Sequence, residues 1–411
     1  MFEIFEENES NVRSYCRSFP AKFNFAKNAE IFTEKNERYI DFFAGAGTMN
    51  YGHNNSYIKN AILDYLSQDR IIHALDMYTV AKENFIKIFK KKILEPRKLN
   101  YKIMFCGSTG TNAVEAALKL SRKNKQRRNI ISFSGAFHGM SLGSLALTAD
   151  RHSRSGAGVS LPNVSFVPFD NSISIDYLQW MLTDDHSGID KPAAIFLETI
   201  QAEGGVNVAH IDWLKELEKL CKNHDILLVV DDIQVGNWRT GTFFSFENAN
   251  IEPDMIILSK SISGFGLPMS ILLIKNDLDI FSPAEHNGTF RGNQLAFIGA
   301  AAAIEYSEKY KLDEEVLKKE NIVYDFLLNN ILPLNNKLSI RGKGLIWGID
   351  FSLINNEFSK TIMNNCFSNN LIIERSGRGD SVLKLMPPLT IEENILLEGL
   401  AIITNAIKST L

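Results

Sequence analysis

The chain has 411 residues, with 44 Lys plus Arg against 48 Asp plus Glu, a formal net charge of −4. Apolar residues make up 45% and charged residues 22%, a globular balance that excludes wholesale disorder and a generally basic nucleic-acid binder. The length suffices for two or three domain-sized units with large cores.

Cys16, Cys106, Cys221 and Cys366 form no CxxC pair. This predicts neither a disulfide framework nor a zinc knuckle and fits a reducing compartment. The opening MFEIFEENES is acidic where a signal peptide carries base, and no apolar run follows it. The longest apolar stretches, such as Ile226–Val230 and Met269–Ile274, are too short to span a bilayer. A cytoplasmic protein with neither membrane nor nucleic acid as partner is expected. No repeat of 20–50 residues is visible, which argues against solenoids and propellers.

Between residues 100 and 280, short apolar strands alternate with helical patterns. The first strand is Lys102–Phe105, followed by a helix over Asn112–Arg122. The basic run Arg122–Arg128 (RKNKQRR) reads as the solvated end of that helix, favourable to its dipole, rather than as a binding patch. Strands then fall at Asn129–Phe133, Val164–Val167 and Ala193–Glu198, with a helix over Ile211–Asn223. Ile226–Asp231, Met255–Ser259 and Ile271–Ile274 complete the set. Runs such as ILLVV suit strands buried on both faces, and their alternation with helices predicts an α/β fold around a mostly parallel sheet. A long helical stretch begins near Gly292 and leads out of this unit. The predicted organisation is a large domain over 51–300 and a smaller α+β domain over 301–411, joined by the N-terminal segment 1–50. Ligands of such sheets bind at the carboxyl ends of strands.

Three strand ends carry candidate chemistry. In CGSTGTNAVEAALKLSR (Cys106–Arg122), small hydroxyl residues lead into a helix start, where unpaired N–H groups and the dipole suit a phosphate. An ordinary capped βα loop also accounts for it. The segment is neither GxGxxG nor GxxxxGK[ST], which argues against a dinucleotide or a nucleoside triphosphate. In VVDDIQ (Val229–Gln234), two carboxylates end a buried strand and need a cationic or hydrogen-bonding partner, such as a protonated ring nitrogen. Helix capping and a metal pair are the alternatives. In LSKSISG (Leu258–Gly264), Lys260 ends a third apolar strand; partly desolvated, it can form a Schiff base with an aldehyde, although a surface loop lysine is the plainer reading. Together the three features select pyridoxal phosphate: Lys260 for the aldehyde, an Asp for the pyridine nitrogen, a helix start for the phosphate.

The sequence also resembles the class III aminotransferases of fold type I, and within them the diaminobutyrate–2-oxoglutarate transaminases. The resemblance spans nearly the whole chain. It rests on Asp41–Asn54 (DFFAGAGTMNYGHN), Gly110–Arg122, Phe137-His138-Gly139, Glu198–Gly205 (ETIQAEGG), Asp231–Phe246 (DDIQVGNWRTGTFFSF), Leu258–Pro268 (LSKSISGFGLP), Glu285–Asn293 (EHNGTFRGN) and Lys384–Ile391 (KLMPPLTI).

The resemblance implies roles by position. Lys260 matches the cofactor-binding lysine that also shuttles protons, and Asp231 the pyridinium partner. Gln234 matches the residue near the ring hydroxyl, Gly110 and Thr111 the phosphate loop, and Phe137 the stacked aromatic with His138 beside it. Thr289 matches the residue that reaches the phosphate of a neighbouring subunit, which implies a homodimer. Arg239-Thr240-Gly241 matches a segment taken as structural. Glu203 matches a glutamate that pairs with a cation and moves aside for dicarboxylates. Lys384 stands where many relatives carry that cation as arginine, and a lysine cannot make the bidentate fork of arginine. Met140 occupies a position where several ω-aminotransferases carry a carboxylate-binding arginine. Arg291 is a candidate replacement, with helix capping or a structural ion pair as the alternatives. Tyr15, Asn50, Tyr51 and the Ala44–Thr48 loop are candidates for the substrate mouth.

The implied reaction is ping-pong transamination between L-2,4-diaminobutyrate and 2-oxoglutarate, giving L-aspartate 4-semialdehyde and L-glutamate. Running toward diaminobutyrate, it would supply ectoine, siderophore, polyamine or peptide-antibiotic synthesis. Another class III transaminase acting on ornithine, lysine, 4-aminobutyrate or a diamine is the main alternative. An aminomutase, decarboxylase or racemase, or a non-catalytic protein on the same fold, are further ones.

Overall fold

The computed structural model describes residues 2–170 and 173–411. After the short helices Glu3–Asn8 and Tyr15–Ser18 come three strands: β1 (Phe23–Lys27), β2 (Glu30–Thr33) and β3 (Arg38–Asp41). The central sheet is built from β4 (Tyr101–Gly107), β5 (Ile130–Phe133), β6 (Val164–Val167), β7 (Ala194–Leu197) and three later strands. Two short strands, β8 (Ile200–Gln201) and β9 (Asn207–Val208), pair with each other before β10 (Leu227–Asp231), β11 (Met255–Leu258) and β12 (Ser270–Lys275) return to the centre. The seven strands lie in the order β4-β12-β11-β10-β7-β5-β6. All run parallel except β12, which is antiparallel to both neighbours. The predicted strands are therefore present, with ends displaced by at most two residues.

The sheet is buried on both faces, and alternate residues serve different cores. Ile195, Leu228, Val230, Ile256 and Leu258 face the helices Val80–Phe89, Ile211–Asn223 and Gln294–Lys309. Phe196, Leu227, Val229, Met255 and Ile257 face the helix Gly110–Lys125, whose Ala113, Val114, Ala117 and Leu120 are fully buried. Period-two side-chain alternation under two helical layers is what makes ILLVV apolar without a break. The basic run ends this helix as expected: Gln126 is left-handed, and Lys125 and Arg127 both pair with Asp225.

The remaining strands are β13 (Ser339–Lys343), β14 (Ile346–Asp350), β15 (Leu371–Ile372), β16 (Glu374–Ser376) and β17 (Val382–Leu385). They form the sheet β13-β14-β17-β16, while β15 joins the N-terminal strands in the order β1-β2-β3-β15. Phe42 is bracketed by this C-terminal part: its N–H donates to Ile372 O, and its carbonyl accepts from Met386 N. The helix Gln294–Lys309 faces two ways, with Ala296, Phe297 and Ala300 in one core and Ala302 and Ala303 in another. No helix among the described residues is long and apolar enough to cross a membrane.

Candidate active site

The carboxyl ends of the parallel strands open on one cleft of about 150 Å³. Its lining includes Gly110, Thr111, Phe137, His138, Glu198, Glu203, Asp231, Gln234 and Lys260. Its position is that of a small-ligand site in an open α/β sheet.

The anion seat begins where β4 ends. Thr109 caps the helix Gly110–Lys125, and its N–H and hydroxyl both donate to Asn112 Oδ1, at 3.2 and 2.9 Å. Asn112 N–H turns back to Thr109 O at 3.1 Å, which leaves the N–H groups of Gly110 and Thr111 without a helical acceptor. A Cβ on Gly110 would come within 2.6 Å of Ile233 Cδ1, so the helix start is pressed against a cleft wall. Thr111 Oγ1 lies 2.8 Å from Ser141 Oγ and 2.5 Å from Ser144 Oγ, and the Ser141 hydroxyl donates to Glu115 Oε1 at 2.6 Å. This hydroxyl cluster escapes sequence reading because Ser141 and Ser144 lie thirty residues from Thr111.

At the end of β10, His138 Nδ1–H donates to Asp231 Oδ2 at 2.7 Å, and Ile233 N–H donates to Asp231 Oδ1 at 3.1 Å. Burial pushes the His138 imidazole down, but the hydrogen bond and charge of Asp231, with Glu198 beyond, outweigh it and leave it raised. His138 Nε2 is buried with no hydrogen-bond partner among the described residues. The adjacent Asp232 does not line the cleft. Its Oδ2 accepts from Ser245 N–H at 3.0 Å, and burial pushes its carboxyl up to about 7. The pair thus divides into one cleft carboxylate and one interior one.

Lys260 follows β11 with φ +51, a left-handed backbone unusual for a side-chain-bearing residue. Burial lowers its pKa, the charge of Glu203 opposes this, and Lys384 adds to it. Phe137 N–H donates to Glu198 Oε2 at 3.0 Å. Burial pushes the Glu198 carboxyl up to about 8 despite His138. Glu198 was legible only as part of the ETIQAEGG string; its place in the cleft follows from its position just past β7. Gln234 Nε2–H donates to Ala46 O at 2.9 Å, fastening the Ala44–Gly47 loop to the site.

Lys384 is fully buried and reaches the cleft through two of its lining residues, Glu203 and Gln234. Its Nζ–H donates to Glu203 Oε1 at 2.6 Å and to Gln234 Oε1 at 3.5 Å. Glu203, its side chain about a third exposed, is held down at about 2 by the charges of Lys384 and Lys260, against the opposing effect of desolvation.

Other candidates lie elsewhere. Thr289 is exposed outside this cleft, its carbonyl accepting from His73 Nε2 at 3.0 Å. Met140 is exposed. Arg291 does not line the cleft and neither caps a helix nor forms an ion pair; its Nη1–H donates to the β4 carbonyl of Phe105 at 3.1 Å. Asn50 and Tyr51 are not mouth residues. Asn50 is fully buried and bonded to Asn237 O and Arg239, while Tyr51 packs in the core against Tyr306. Tyr15 is half exposed and packs on Phe43 with ring centroids 5.0 Å apart. Burial and the charges of Glu374 and Glu203 raise its phenol.

The donor set suits pyridoxal phosphate in three respects: a helix start for an anion, a buried carboxylate for a protonated ring nitrogen, and a desolvated amine for an aldehyde.

Comparison with known proteins agrees with this geometry. A diaminobutyrate–2-oxoglutarate transaminase of Wolinella succinogenes is 51% identical over 415 residues, covering 99% of this chain and 96% of that protein. The protein of the same name from Bordetella parapertussis is 50% identical over 416 residues, covering 100% and 95%. Among solved structures, a transaminase from the marine bacterium Virgibacillus has a TM-score of 0.88 at 20% identity, covering 99% of this chain and 98% of that one. An ornithine aminotransferase from Toxoplasma gondii has a TM-score of 0.86 at 23% identity, covering 100% and 94%. At such identities these structures speak to the fold alone. Residues 15–407 match the family described as aminotransferase class-III, and the chain belongs to that family.

Proposed function

We propose that this enzyme moves the terminal amine of L-2,4-diaminobutyrate to 2-oxoglutarate with pyridoxal 5′-phosphate held in the cleft, giving L-aspartate 4-semialdehyde and L-glutamate. The observation that carries the reading is the convergence of Lys260, Asp231 and the Gly110–Thr111 helix start on one cleft. The reaction named for relatives about half identical over their whole length supports the substrate pair.

When bound, the cofactor supplies an aldehyde for the amine and a ring that accepts electrons. In our reading Gly110 and Thr111 hold its phosphate, Phe137 lies on the ring, Gln234 stands near the ring hydroxyl, and Asp231 keeps the ring nitrogen protonated. His138 backs Asp231 through its Nδ1–H. Burial favours the neutral amine of Lys260, which is the form that attacks a carbonyl and accepts a proton. Lys260 Nζ then carries a proton from the substrate carbon bearing the amine. Glu203 and Lys384 face the end of the substrate that does not react. We assign residues 51–300 to the cofactor-holding domain, and 301–411 with 1–50 to the smaller one.

We also place Thr289 at the neighbouring subunit's phosphate in a homodimer. Leu75, Met77 and Phe290 are exposed beside it, on segments that His73 ties to the Thr289 carbonyl. Such a patch favours a protein partner.

The test is 2-oxoglutarate-dependent glutamate formation by the cofactor-loaded enzyme from diaminobutyrate, ornithine, lysine, 4-aminobutyrate and diaminopropane in parallel. Preference for diaminobutyrate is expected; preference for another amine would overturn the donor assignment and leave the cofactor chemistry standing.

A further inference from the structure

Lys384 is contacted by two carboxylates, and only one of them lines the cleft. In the antiparallel pair β16–β17, Glu374 stands directly opposite Lys384, so both side chains project from the same face of the sheet. Lys384 Nζ lies 3.0 Å from Glu374 Oε1, off the direction of a hydrogen bond, while Glu203 takes the good bond at 2.6 Å. Glu374 is 6% exposed and, like Lys384, does not itself line the cleft, whereas Glu203 does.

With all three groups ionised, two carboxylates against one ammonium leave the cluster one unit negative. If Glu203 swings away, Lys384 is still neutralised by Glu374. A carboxylate arriving at Lys384 then meets a spent charge unless Glu374 takes up a proton. The ionisable groups facing Glu374 are Lys384 on β17, Glu203 after β8, Lys260 after β11 and the Tyr15 phenol. Burial pushes the Glu374 carboxyl up to about 7, Lys384 opposing and Glu203 adding to the rise. Glu203, held near 2, keeps its charge throughout the neutral range.

We propose that Glu374 is a positioning residue that sets specificity through Lys384: ionised, it leaves the cluster negative and suited to the second ammonium of a diamino donor, and protonated, it frees Lys384 for a carboxylate of the dicarboxylic acceptor. The proton comes from solvent when the acceptor binds and returns to solvent when the cluster is next ionised. This inference rests on the transamination reading above.

The test uses the cofactor-loaded wild type, Glu374→Gln and Glu374→Asp. KM and kcat are measured separately for 2-oxoglutarate and diaminobutyrate across pH. For a single group titrating near 7, the wild-type KM for 2-oxoglutarate rises about tenfold between about pH 6 and 8. Glu374→Gln holds the low acceptor KM across that range and raises the KM for diaminobutyrate, and Glu374→Asp restores a pH slope. A wild-type acceptor KM that is flat over this range overturns the proposal without any variant, which keeps it falsifiable if Glu374→Gln fails to fold. So does a wild-type slope retained by Glu374→Gln. A wild type that forms no glutamate from 2-oxoglutarate overturns the functional reading and this inference together.

Discussion

Arg239 is among the largest fully buried side chains, and among the described residues no carboxylate forms an ion pair with it. Instead its guanidinium spans three segments. Nη1–H donates to Leu345 O at 2.9 Å and to Pro387 O at 2.5 Å, and Nη2–H donates to Asn50 Oδ1 at 2.6 Å. Burial pushes the guanidinium down to about 9, Asp41 opposing, so the charge itself is costly and the bonds must offset it. Arg239→Lys keeps a buried charge and removes the fork. A single ammonium at one point retains about one of the three bonds, and each charge-assisted bond lost costs about 1.5 kcal/mol, so the variant is destabilised by about 3 kcal/mol. With an unfolding entropy of about 2.1 cal/mol/K per residue, a cooperative unit of 411 residues has about 0.9 kcal/mol/K, which converts this to a Tm lower by 3–4 °C. Scanning calorimetry of the cofactor-loaded proteins measures it. A variant that melts within about 1 °C of the wild type would refute the claim that fork geometry, rather than charge, is what this position needs.

Two more substitutions test separate parts of the site. Glu198 has its carboxyl raised from 4.5 to about 8 by burial, so the folded chain binds more protons than the unfolded one between these values, and stability falls as pH rises through that window. Glu203 is lowered and loses its contribution only below its ordinary value, outside the window. Asp232 and Glu374, both raised to about 7, share this window, so Glu198→Gln, which keeps an acceptor for Phe137 N–H, should make the fall in Tm of the cofactor-free chain shallower without abolishing it; the same slope in both proteins would contradict the assignment. Thr289→Ala should weaken retention of pyridoxal phosphate roughly tenfold, the worth of one hydrogen bond to a charged group. Unchanged cofactor affinity in equilibrium dialysis removes Thr289 from the neighbouring subunit's site.

The central strands were legible because each is covered on both faces, so burial writes an unbroken apolar run into the sequence. Lys260 and Asp231 stood out for the same reason: a charge directly after such a run lies at the carboxyl end of a parallel strand. What escaped depends on pairings that sequence distance hides. Glu374 meets Lys384 only through the register of a β16–β17 hairpin whose loop contains two left-handed glycines, Gly377 and Gly379. Asn50 and Tyr51 follow a loop that does approach the site through Gln234, yet their side chains turn inward to Arg239 and Ser307. Proximity in sequence to a motif says nothing about which way a side chain points. Arg291 shows the same limit, since its partner is a strand carbonyl that no charge pattern reveals.

In the proposed mechanism Lys260 Nζ carries the proton from the substrate carbon. The most direct measurement mixes cofactor-loaded wild type and Lys260→Ala with diaminobutyrate alone and follows aspartate 4-semialdehyde release in a single turnover. Wild type should release one equivalent per site and lose the visible absorption of the lysine-bound cofactor. Lys260→Ala, with an unchanged circular dichroism spectrum, should release none on the same timescale. Release by Lys260→Ala at the wild-type rate would contradict the claim.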